Sequence, residues 1–161
     1  MATVHHILAQ LPPTLRSLRM GDVSAGRWLS TASLNALADR CPSLEALDLG
    51  WQKAKSKWSD ILEVVASRFP GLLALNLDYA GYLEYPFKVE DCLAQVAKLK
   101  RLRHLSVCHL GLDGSRSHFD EAPPDPDERL EDLVAALPEL RYLRHGNNRS
   151  STKDEAATAA F

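Results

Sequence analysis

The residues best suited to chemistry lie mostly in the second half of the chain. His104, Cys108, His109 and His118 are competent metal ligands, and Asp78 with His104 would make an acid–base pair across neighbouring strands. Neither set carries weight. On a strand rising about 3.3 Å per residue, His104 and Cys108 stand roughly 13 Å apart. A zinc ion holds its ligands at about 2.0–2.3 Å. Asp78 and His104 have no recognisable nucleophile or pocket beside them, and an acid with a base carries little weight alone. His5 and His6 are adjacent, so on a helix their rings splay by about 100°. The sequence contains no nucleophile elbow, phosphate-binding loop, dinucleotide fingerprint or H-E-x-x-H pair. The expectation is therefore no catalytic residue, no metal site, no cofactor and no enzyme activity. Cys41 and Cys92 sit in apolar patterns and read as small core residues, whereas Cys108 is expected to face solvent. Three widely spaced cysteines argue against a disulfide scaffold and fit a reducing compartment, the cytoplasm or nucleus.

What, then, must the chain build? Its 161 residues suit one domain, with 45% hydrophobic and 25% charged residues. A net charge of −2 gives no general attraction to nucleic acid or to an anionic membrane. No apolar run approaches the roughly 18 residues of a membrane span, and residues 1–10 lack the pattern of a secretory signal. Leucine occurs 27 times, and its placement is periodic. An L-x-x-L-x-L pattern begins at Leu15, Leu44, Leu72, Leu102 and Leu140, in steps of 29, 28, 30 and 38 residues. The long last step is one period plus an insertion.

A second signal runs in phase with the first. Four of the five hits follow an apolar residue and a proline: Leu11 with Pro12 and Pro13, Cys41–Pro42, Phe69–Pro70 and Leu137–Pro138. Leu99–Lys100 is the exception. Before each stop runs a 3.6-residue apolar period, for example Trp58, Ile61, Leu62, Val65, Ala66 and Phe69. The first helix offers Val4, Ile7, Leu8 and Leu11, and the last offers Leu130, Leu133, Val134 and Leu137. Ser33, Ser59 and Asp127 are the expected N-caps. The unit is thus helix, proline-marked turn, short strand, loop.

This unit resembles the leucine-rich repeat family in its longer α/β form, as in ribonuclease-inhibitor-like proteins and the arrays behind F-boxes. The resemblance implies a right-handed horseshoe segment of about five short parallel strands, with helices on the convex side. It covers residues 2–148, with a loop insertion near 109–126 and a disordered tail over 149–161. The family's conserved asparagine slot holds Val23, Gln52, Ala80, Leu110 and Asn148, so most turns must satisfy their backbone groups differently. The resemblance also implies protein recognition, with substrate recruitment for a ubiquitin ligase as the F-box analogy, although too few residues precede the first repeat to hold an F-box. The alternatives are a structural subunit or assembly factor, or a GTPase-activating array. The apparent lack of capping repeats suggests part of a longer array or a larger complex.

Strand alternation identifies the exposed ribbon. One column holds Ser17, Ala46, Ala74, His104 and Tyr142. The next holds Arg19, Asp48, Asn76, Ser106 and Arg144, and a third holds Gly21, Gly50, Asp78, Cys108 and Gly146. The face is polar, with many small residues that leave room for a ligand. Trp51 and Tyr79 occupy equivalent positions on loops leaving it, and Tyr82, Tyr85 and Phe87 follow Tyr79. Aromatic anchors on loops over a rigid scaffold suit recognition. Trp58 and Phe87 read instead as cover for the core. The residues expected to bind a protein partner are Trp51, Asn76, Asp78, Tyr79, His104, Tyr142 and Arg144.

Overall fold

A computed structural model describes residues 4–19, 29–52, 54–80, 88–108 and 126–145. Five helices and five strands alternate along it. They are α1 (Val4–Gln10), β1 (Ser17–Arg19), α2 (Thr31–Arg40), β2 (Ala46–Asp48), α3 (Trp58–Arg68), β3 (Ala74–Asn76), α4 (Val89–Val96), β4 (His104–Ser106), α5 (Pro126–Ala136) and β5 (Tyr142–Arg144). The expected insertion, apart from Pro126, and the expected tail lie outside the described residues. So do Tyr82, Tyr85 and Phe87.

The strands form one parallel sheet in chain order, β1-β2-β3-β4-β5. Its register reproduces the columns read from the sequence, aligning Ser17 with Ala46, Ala74, His104 and Tyr142. The central leucines Leu18, Leu47, Leu75, Leu105 and Leu143 stack in one row behind the sheet. Consecutive helices pack against one another on the other side of that row. The core lies between the two layers, and no single unit could enclose it alone.

The proline signal has a specific geometric cause. In each repeat a backbone bond joins the first leucine of the pattern to the residue three before it: Leu15 to Pro12, Leu44 to Cys41, Leu72 to Phe69, Leu102 to Leu99 and Leu140 to Leu137. Pro13, Pro42, Pro70 and Pro138 stand second in these turns, where a fixed φ is favourable and no inward N–H is required. Lys100 fills the same slot, and its Nζ donates to the Ala136 carbonyl of the next repeat at 2.9 Å.

Three expectations about the helices need correction. Ser30, rather than Ser33, caps α2: its side chain accepts from the Ser33 N–H, and Ser33 returns a bond to the Ser30 N–H, a reciprocal capping box. Ser59 lies inside α3, which starts without a side-chain cap after Lys57. Asp127 lies inside α5. Furthermore, Ile7 and Val134 are exposed although their sequence phase is apolar. They stand on α1 and α5, each packed against one neighbouring helix among the described residues.

Candidate functional site

The strands position a polar ribbon whose side chains are tied from repeat to repeat. Asp78, just beyond β3, is the centre of that network. Its Oδ1 accepts from Ser106 Oγ at 2.7 Å and from the Cys108 N–H at 2.8 Å, and its Oδ2 lies 3.5 Å from the Arg144 guanidinium. Asp48 is equivalent in chemistry. Its Oδ1 accepts from the Gly50 N–H at 2.9 Å, and its Oδ2 meets Arg19 Nε at 3.2 Å. Asn76 lies between them, its Oδ1 accepting from the Asp78 N–H at 2.8 Å. Burial nevertheless pushes the Asp48 carboxyl above its ordinary value, and nearby Asp78 adds to the push. The Gly50 N–H, Arg19 and the Asn76 side chain oppose it.

These carboxylates and the amide replace the missing asparagine ladder. Gln52 occupies one of the family's asparagine slots, buried, and donates to the Gly50 carbonyl at 3.3 Å. Ala80 occupies the next slot, buried, and its side chain has no polar atom to offer. The turns are satisfied instead by acceptors at the ends of β2 and β3. A β-carbon on Gly50 would approach Asp48 Oδ1 to 3.1 Å and Asn76 Nδ2 to 3.2 Å. Glycine there gives the two side chains room.

Trp51 and Tyr79 stand where each chain segment leaves the ribbon. Their N–H groups continue the lateral ladder, Trp51 to the Asp78 carbonyl and Tyr79 to the Cys108 carbonyl, both at 2.8 Å. Both residues have φ of 59°. Left-handed backbone favours glycine and is an outlier for bulky side chains. Tyr79 is the third residue of a turn closed from Ala80 N–H to the Leu77 carbonyl at 2.9 Å. The two rings stack with centroids 3.5 Å apart and planes 23° from parallel. Trp51 remains 58% exposed, while Trp58 is buried in the core as expected.

The structure brings the residues expected to bind a partner onto one ribbon and its margin. Trp51 meets Tyr79, Asp78 meets Arg144, and His104 meets Tyr142 with ring centroids 6.3 Å apart. The imagined acid–base pairing is not how Asp78 is used, since its oxygens hold Ser106, Cys108 and Arg144. Cys108 is a correction: it is buried rather than solvent-facing. Burial and nearby Asp78 push its thiol upward, away from the reactive thiolate. The ribbon is also less open than expected, because Ala46, Asp48, Ala74, Asp78 and Ser106 are all buried. Sequence reasoning left Arg19 and Asp48 out of the site, although their column had been identified. No group of three or more metal-ligating side chains forms among the described residues. At the β5 end, Leu130, Glu131, Val134, Ala135 and His145 line an open groove of about 570 Å³.

No family model and no curated protein matches the chain. Among solved structures, it is similar to the leucine-rich repeat-containing protein LegL7 from Legionella pneumophila, with a TM-score of 0.55 and 19% identity. The likeness covers 98% of this chain and 47% of that one, so the chain spans about half of its neighbour's length. The fold is a leucine-rich-repeat solenoid. In this solenoid the lateral ties recur at about one period. Arg16 pairs with Glu45, Arg68 with Asp39, and Arg40 Nε donates to the Leu11 carbonyl, each across 29 residues. Arg103 and Lys100 serve similar ends, Arg103 reaching Glu139 and Lys100 the Ala136 carbonyl. No helix among the described residues is long and apolar enough to cross a membrane.

Proposed function

We propose that this solenoid is a protein-recognition module, binding through the strand ribbon and the Trp51–Tyr79 ledge beside it. The observation that carries the reading is the ledge itself. Two large aromatic residues hold a left-handed backbone that glycine would hold without strain, and the outer ring stays mostly in solvent. Strained backbone that persists at an exposed aromatic site is more readily explained by use than by packing. Asn76, His104, Tyr142 and Arg144 form the adjoining contact surface, with buried Asp78 holding Arg144 from beneath. The three free cysteines, all buried, suit a reducing compartment such as the cytoplasm or nucleus. A photo-reactive residue placed at position 17 or 142 of the ribbon tests the reading in extracts of the source cell. The expected outcome is a discrete crosslinked partner that disappears when Trp51 is replaced by glycine. A crosslinking pattern indifferent to Trp51 would remove the reading.

The exposed Val134 and the groove beside β5 favour a second reading, a structural subunit whose β5 end stacks on another repeat coil. That surface joins helix and strand edge in the same way as the interfaces between repeats inside the chain. Light scattering at micromolar concentration would show self-association under this reading, and a strict monomer counts against stacking of like chains.

A further inference from the structure

The two ion pairs of the ribbon are lopsided. The Asp48 and Asp78 side chains are only 8% and 11% exposed, while their partners Arg19 and Arg144 are 60% and 47% exposed. Each carboxylate also holds the backbone of a turn, through the Gly50 N–H in one case and the Cys108 N–H in the other. The acids are therefore engaged from within, and an approaching molecule meets guanidinium N–H groups. Both cations lean toward the middle. Arg19 reaches from β1 to the end of β2, and Arg144 reaches from β5 past β4 to the residue pair after β3. Asp48 and Asp78 are one strand and two residues apart, which separates their Cα atoms by about 8 Å. The exposed ring of Trp51 stands at this same end of β2, and exposed Lys55 and Lys57 follow it in the chain.

Resting on the recognition reading above, we infer that the ribbon selects an extended acidic peptide segment. Carboxylates at alternate positions, which share one face of an extended chain, meet Arg19 and Arg144, and a neighbouring apolar or aromatic side chain packs on Trp51. A guanidinium can bind a carboxylate through paired N–H donors and still lean on a recessed acid. A nucleic acid is the competing polyanion. Binding its backbone calls for a row of cations that tracks successive phosphates, whereas here two guanidiniums flank a floor that holds the Asp48 and Asp78 side chains.

Panning a phage-displayed library of random dodecapeptides tests the inference. The bait is the wild-type chain, with the Trp51→Gly chain for counter-selection and circular dichroism to confirm that both fold. Enriched peptides are then measured by fluorescence anisotropy beside a single-stranded oligouridylate. Peptides with Asp or Glu at alternate positions next to an apolar or aromatic residue should be enriched. Their affinity should weaken with added salt and fall roughly tenfold with Arg144→Gln or Trp51→Gly. Neutral or basic peptides that still require Trp51 would overturn the charge inference and leave the recognition reading standing. Absence of any peptide dependent on Trp51 or Arg144 would overturn both. Tighter binding of the oligouridylate, lost with Arg144→Gln, would overturn the peptide in favour of nucleic acid.

Discussion

Asp48 shows how a residue that stabilises a turn can still weigh against folding. Its carboxylate accepts the Gly50 N–H and faces Arg19, yet burial dominates and raises its pKa above the ordinary 3.8. A carboxyl whose folded pKa exceeds its unfolded one binds its proton more tightly in the native state. The ionised group therefore costs stability above the folded pKa, and that cost vanishes as pH falls below the unfolded value. Asp48→Asn keeps the acceptor and removes the titration. Urea unfolding between roughly pH 7 and pH 4 should show the variant's stability relative to wild type falling as pH is lowered. A relative stability that rises instead would mean that Arg19 outweighs burial. Trp51 gives a second test at this scale. Trp51→Ala removes the stacking and keeps the left-handed strain, whereas Trp51→Gly removes both. The glycine chain should thus be more stable than the alanine chain by about 1 kcal/mol. Calorimetric melting of the two variants checks the order, and the reverse order would show that position 51 carries no strain.

The repeating element was legible because its core is local in pattern. Leucines at fixed offsets identified every strand, and the apolar helix phase marked the buried face of α2, α3 and α4. The aromatic ledge was legible as two positions 28 residues apart. Features set by a neighbouring repeat were not legible. Ile7 and Val134 have core spacing, yet they are exposed on helices that pack against one neighbour among the described residues. Cys108 alternates outward on its strand, yet it is buried, and its N–H is bonded by Asp78 of the preceding repeat. The Ser30/Ser33 box offered two serines at helix-capping distance, and the sequence does not say which is outside the helix. The left-handed φ of Trp51 and Tyr79 had no glycine to announce it. The same dependence on neighbours governs stability within an element. Leu75 is fully buried and flanked in register by Leu47 and Leu105, while Leu18 is partly buried at the β1 edge. Neighbouring rows on both sides resist collapse into a cavity. Leu75→Ala should therefore cost about 2–5 kcal/mol in urea unfolding, and Leu18→Ala distinctly less. Equal losses would contradict a core built from in-register rows.

Across the whole molecule, stability is approximately a chain of coil-to-coil interfaces. Each internal repeat is held on two sides: by strand pairing, by helix packing and by side-chain ties from one repeat to the next, such as Arg16–Glu45 and Arg103–Glu139. The β1 and β5 coils are each held on one side among the described residues, and Leu15, Leu18, Leu140 and Leu143 are only partly buried there. The lateral backbone bonds share this polarity. Leu49 N–H donates to the Asn76 carbonyl and Leu77 N–H to the Ser106 carbonyl, both within the interior, whereas Val107 N–H depends on the Arg144 carbonyl of β5. Opening an end coil breaks one interface, while opening an interior coil breaks two. Native-state hydrogen exchange should therefore show a gradient. The amides of Leu49 and Leu77 should be protected at least about tenfold more than that of Val107, although the bond lengths differ little, at 2.9, 2.8 and 2.8 Å. The gradient should flatten from the β5 side if a partner stacks there. It should persist if the partner lies only across the ribbon, because a ligand on Trp51 and Arg144 adds no backbone pairing at the outer edge of β5. Equal protection throughout the isolated chain would mean one cooperative unit rather than a row of coupled coils.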